Sequence, residues 1–79
     1  FPNPFNPQTN IRFGLIESGH VVLNIYNING QLVSNLVNDE MGSGFHTISF
    51  QGADLPSGSY LYSLTTGSKT IVKKMMLLK

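Results

Sequence analysis

Apolar and polar side chains alternate with a period of two through most of this chain, which is the pattern of half-buried strands. Ile11, Phe13 and Leu15 share one parity and Asn10, Arg12 and Gly14 the other, predicting a strand over Thr9–Leu15. The next run, His20–Asn27, sets Val21, Leu23 and Ile25 against Val22, Asn24 and Tyr26. Asn29-Gly30 follows, a dipeptide that tolerates positive φ at both positions and predicts a hairpin turn. Gln31–Val37 is ambiguous, because Leu32, Val33, Leu36 and Val37 fit helical spacing as well as a bulged strand. Two valines and the preceding turn favour the strand. A polar loop is expected over Asn38-Asp39-Glu40 and Gly42-Ser43-Gly44. Phe45–Phe50 alternates again, with His46, Ile48 and Phe50 on one side. Gly52–Gly58 reads as a connection from which Leu55 dips into the core, and Ser59–Thr65 groups Tyr60, Tyr62 and Leu64. Thr66-Gly67-Ser68 is a tight turn, and Thr70–Leu78 is the last strand.

That last strand is apolar on both parities: Ile71, Met75 and Leu77 on one, Val72, Met76 and Leu78 on the other. It is covered on both sides, or a bulge near Lys73-Lys74 resets the alternation, or one side is open for a partner. No helical pattern separates successive strands, so parallel βαβ units are excluded. Six or seven short strands with frequent turn signals predict a small antiparallel β-sandwich of immunoglobulin-like type, an all-β fold. Residues 1–79 read as a single domain, with a proline-rich opening segment over 1–8 and the sandwich over 9–79. In that segment Pro2, Pro4 and Pro7 push Phe1, Asn3 and Asn6 out of the α region. Phe1 and Phe5 are expected to pin it to the sandwich edge.

Composition narrows the chemistry. With 79 residues and 0 Cys, stability rests on a thin apolar core and on strand pairing, without disulfides or thiolate metal sites. Charged residues are only 11% and net charge is +1, so there is no basic field for a nucleic acid. No apolar run approaches the roughly 20 residues of a membrane helix, and membrane insertion is not expected. Residues 1–7 have neither a basic nor an apolar leader region, so any secretion signal is expected upstream, and the chain reads as the tail of something larger.

No catalytic constellation emerges, and neither enzymatic activity nor a cofactor is expected. A zinc site needs three or four convergent ligands, and only His20 and His46 are on offer. Glu17, Asp39, Glu40 and Asp54 form no facing carboxylate pair and no calcium loop. Ser43-Gly44 and Ser57-Gly58 are turn dipeptides, without a nucleophile elbow. Tyr26, Tyr60 and Tyr62 could stack on a sugar, but tyrosine on a sandwich strand more often packs in the core with its hydroxyl at the rim. Tyr60, just after Ser57-Gly58, fits a corner tyrosine tying a loop to a strand. The remaining signal is charge placement: Lys69, Lys73, Lys74 and Lys79 put four of the five basic residues in the last eleven positions. Such charges protect an edge strand from aggregation, or they equip a docking strand for a receptor.

Taken in order, several segments resemble the C-terminal sorting domain of the type IX secretion system, type A. They are Pro2-Asn3-Pro4-Phe5-Asn6-Pro7; Val21–Tyr26 with Asn29-Gly30-Gln31-Leu32-Val33; Leu55-Pro56-Ser57-Gly58-Ser59-Tyr60; Gly67; and Lys73-Lys74-Met75-Met76-Leu77-Leu78-Lys79. The resemblance implies a β-sandwich at the C-terminus of a secreted cargo protein, folding in the periplasm and recognised by an outer-membrane translocon. It implies a sortase that cuts upstream and joins the cargo to surface lipopolysaccharide, leaving the cargo extracellular or on the cell surface. Pro2, Asn3, Pro4 and Phe5 are then the opening motif, and Gly30, Pro56, Gly58 and Tyr60 the turn and core motif. Gly67, Lys73, Lys74 and Lys79 are the candidate recognition residues, with Gly67 permitting the turn and Lys74 reaching an acidic or carbonyl-rich receptor surface. A related immunoglobulin-like module of flagellar hook-capping proteins shares much of the pattern. The alternatives are a structural immunoglobulin-like module and a carbohydrate-binding module.

Overall fold

The computed structural model describes residues 8–78, so the opening motif Pro2, Asn3, Pro4 and Phe5, with Phe1, and the recognition candidate Lys79 lie outside the described residues. Six strands follow one another, with no helix among the described residues: β1 (Gln8–Leu15), β2 (Gly19–Asn27), β3 (Leu32–Met41), β4 (Gly44–Gln51), β5 (Gly58–Thr66) and β6 (Lys69–Leu77). All pairings are antiparallel. They build a two-stranded sheet, β1-β4, and a four-stranded sheet in the order β3-β2-β5-β6.

The alternation read from the sequence fills the space between the sheets. Ile11, Phe13 and Phe50 come from the smaller sheet, and Val21, Leu23, Ile25, Tyr60, Leu64 and Leu77 from the larger. Leu55, on the connection between β4 and β5, packs against this core, as expected. Val21, Leu23 and Ile25 are fully buried, which makes β2 the central strand in packing as well as in pairing.

The ambiguous segment is a strand, and its helical spacing has a structural cause. Leu23 pairs with Val37 but Asn24 pairs with Asn35; Ile25 pairs with Ser34 but Tyr26 pairs with Leu32. Leu36 and Val33 are therefore the extra residues of two bulges, which turn both side chains toward the core. Two insertions into a period-two ladder imitate a period of three to four. β3 also runs further than expected. Asn38, Asp39 and Glu40 are not a loop but pair with Val22, Val21 and His20, leaving Gly42 and Ser43 as the connection to β4.

The β2–β3 hairpin also departs from the two-residue turn. Gly30 alone has a positive φ, 84°, and Asn29 does not. Gly30 N–H donates to Asn27 O at 3.0 Å, and Asn27 N–H donates to Gln31 O at 2.9 Å. This is a three-residue loop, a turn followed by a left-handed glycine. The Asn27 side chain fixes it by accepting from the N–H groups of Asn29 and Gln31.

Candidate functional site

The C-terminal hairpin holds the recognition candidates. β5 and β6 pair without interruption from Thr66↔Lys69 to Gly58↔Leu77, so no bulge resets the last strand. Gly67 and Ser68 make the connection, with Gly67 at φ 57°, a conformation in which a β-carbon is strained. Beside the turn, Thr65 Oγ1 and Thr70 Oγ1 lie 3.0 Å apart and share a hydrogen bond.

Of the three options for the apolar last strand, the structure excludes the bulge and cover on both sides, and leaves most of β6 exposed. β6 ends the four-stranded sheet, and its outer edge pairs with no strand among the described residues. Opposed residues share a face, so Ile71, Lys73, Met75 and Leu77 lie with Leu64 and Tyr60 on the inner face, while Val72, Lys74 and Met76 point outward. Ile71, Val72 and Met76 are each more than half exposed. Lys73, opposite Tyr62, and Lys74, opposite Leu61, thus point to different faces and act as separate charges rather than one patch. Among the described residues, none of Lys69, Lys73 and Lys74 makes an ion pair.

One residue anchors this exposed strand. Leu77 is 2% exposed and packs on Gly52, where a β-carbon would fall 2.5 Å from Leu77 Cδ2. The glycine is required by contact, since its φ is not in the left-handed region. A second tie supports β5 from beneath. Tyr60 is buried, and its hydroxyl donates to Pro56 O at 2.6 Å, the corner arrangement expected from Pro56, Gly58 and Tyr60. Tyr60 pairs with Met75, so the corner also steadies the far end of β6.

Between β1 and the inner face of β6 the sandwich is open. Two stranded layers of unequal width leave a groove here, with volumes of about 520 Å³ at the turn end and about 220 Å³ farther along. The two parts share Gly14, Leu64 and Ile71. Gly67 and Lys69 line the first, and Arg12 and Lys73 the second. The sequence drew attention to Gly67, Lys69, Ile71 and Lys73 but not to Arg12 across the groove from them, because alternation does not show how many strands the facing sheet has. The Arg12 guanidinium lies 4.8 Å from the centre of the Phe45 ring, and that ring covers Gly14.

The other candidates stand apart. His46 donates from Nε2 to Gly42 O at 2.7 Å and packs on Phe13, a structural role. His20 lies on the surface between Asn38 Oδ1, 2.6 Å from Nε2, and Glu40 Oε2, 3.2 Å from Nδ1. Only imidazolium can donate to both, so these contacts, Asn38 first, raise its pKa. Among the described residues no three His, Asp or Glu come together as a metal site. Tyr62 lies on the inner face opposite Ile25, and Tyr26 on the outer face opposite Leu61, so the tyrosines form no common platform for a sugar. Met76 Sδ accepts from Ser59 Oγ at 3.2 Å on the outer face.

The family model described as "Secretion system C-terminal sorting domain" matches residues 1–78. No curated protein and no solved structure matches the chain.

Proposed function

This chain belongs to the family of secretion system C-terminal sorting domains, and from that premise we propose how the fold delivers the signal. The family makes it a sorting signal for type IX secretion, attached to a cargo protein bound for the cell surface or the extracellular space. The domain crosses the periplasm folded, is gripped by the outer-membrane translocon, and is then separated from its cargo by the sortase. It has no catalysis of its own; it is an address read by other proteins.

The observation that supports this reading best is β6 itself. A strand whose edge and lysines find no partner among the described residues, and whose apolar side chains are half exposed, is a liability in a free domain. The same features suit docking by strand addition, where main-chain hydrogen bonds give affinity and side chains give selectivity. Covering Ile71, Val72 and Met76, each about half exposed, is worth about 3 kcal/mol before the cost of association. Leu77 holds the strand to the core while Lys74 stays available on the outer face.

The test is a reporter protein fused ahead of this chain in cells that possess the secretion machinery. Surface display that depends on the machinery supports the reading; a reporter retained in the periplasm overturns it. Mass spectrometry of the exported reporter should place the cut ahead of Phe1. A cut within the strands would contradict a sortase acting on the segment that precedes a folded domain.

A further inference from the structure

We infer that the groove between β1 and β6 seats an extended, acidic segment of a partner protein, which pairs with the edge of β1 that no described strand occupies. The inference rests on the docking reading above and names the chemistry of one partner segment.

The geometry begins with the unequal sheets. β1 pairs with β4 on one side, and its other edge pairs with no strand among the described residues. The groove lies along that edge, with Tyr62, Leu64, Ile71 and Lys73 of the larger sheet as its floor. A strand set about 4.8 Å from β1, in a layer about 10 Å above the larger sheet, sits over the inner face of β6. There it covers Ile71, which is 52% exposed although it points toward the core layer. The two-stranded sheet becomes three-stranded, and the uncovered face of β6 gains a roof.

Charge selects the occupant. Arg12, Lys69 and Lys73 line the groove against a single acid, Glu17, with His20 at the turn end. An incoming strand alternates its faces, so apolar residues directed inward meet Ile71 and Leu64, while acidic residues directed outward lie beside Arg12, whose guanidinium turns from the Phe45 ring on β4 to meet them. Lys69 and Lys73 stand on the same inner face as Ile71, and their long side chains carry the charged ends past it toward the strand. A second copy of this chain fits poorly. Its acidic stretch, Asp39-Glu40, is already hydrogen-bonded into β3 and carries a whole sheet with it, and Glu40 is engaged by His20.

The test uses peptides the length of β1, titrated into the isotope-labelled 79-residue chain and followed by amide chemical shifts. One peptide alternates valine with glutamate, and its counterpart alternates valine with lysine. The acidic peptide should shift β1 amides together with Ile71 and Lys73, and should bind at least about fivefold tighter than the basic one, the worth of a single exposed ion pair. Methylating the backbone nitrogens along one edge of the acidic peptide should weaken it by about tenfold, since those donors form the ladder; this variant leaves the protein untouched. Lys69→Glu with Lys73→Glu should reverse the preference. The inference is overturned by absence of shifts at millimolar peptide, equal binding of both peptides, or indifference to methylation. Concentration-dependent shifts of the same residues without peptide would assign the groove to a second copy and equally overturn it. Reporter export that proceeds normally while the peptides fail would leave the sorting role standing and remove only the groove.

Discussion

Leu77→Ala should destabilise the domain by about 3 kcal/mol, the middle of the range for a buried leucine cut to alanine. Leu77 is 2% exposed, and the surface it leaves behind is a glycine, Gly52, which has no side chain to move into the gap. A 79-residue domain has roughly 4 to 12 kcal/mol in hand. The variant should therefore fold with a melting temperature lowered by roughly 12 to 24 °C. Gly52→Ala probes the same contact from the other side, because its methyl must displace Leu77 from 2.5 Å. It should cost about 1 to 3 kcal/mol as an overpacking change. The double variant should recover part of the loss, since the new methyl occupies space that Leu77 has vacated, giving a coupling of about 1 kcal/mol. Urea unfolding followed by circular dichroism measures all four corners of the cycle. Met76→Ala, on the exposed outer face, is the control and should stay within about 0.5 kcal/mol. Additive effects, or a Leu77→Ala loss below about 1 kcal/mol, would refute the view that this contact anchors the last strand.

Three further outcomes follow. Tyr60→Phe removes the 2.6 Å bond to Pro56 O and should lower the unfolding free energy by about 1 kcal/mol in the same urea assay. Gly67→Ala forces a β-carbon into a left-handed turn at φ 57° and should cost about 1 kcal/mol or more, whereas Gly67→Asn should cost less; thermal melts compare them. The raised pKa of His20 means that the folded state binds its proton more tightly than the unfolded chain does. Its contribution is fully present below the ordinary value of 6.5 and fades as pH rises through the folded value, so stability should be greater at the acidic side of neutrality. In His20→Gln this part of the pH profile should disappear.

Much of the fold was legible because strands with one buried face write their parity into the sequence. Val21, Leu23 and Ile25 announced the core, and the residues from Pro56 to Tyr60 announced the corner. The length of β3 was hidden, because Asn38-Asp39-Glu40 is polar on both faces and alternation fails where neither face is buried. That it is a bulged strand could be read, but not where the bulges fall, because Val33 and Leu36 follow tertiary packing rather than the ladder. The candidate site was half legible. Gly67 and the lysines could be named, but their division could not: Lys73 lies over the groove and Lys74 on the outer face. The continuous register of β6 decides that division, together with the two-strand width of the facing sheet, and neither leaves a mark on local composition.

The central claim is that the export machinery reads an exposed, well-folded last strand, and Lys74→Ala examines it with least disturbance to the core. Surface display of a reporter carrying this variant should fall by about threefold or more, the effect of losing one charged contact at a docking surface, while circular dichroism and unfolding remain unchanged. Undiminished display from the folded variant, or a fall matched by loss of folding, would contradict the claim.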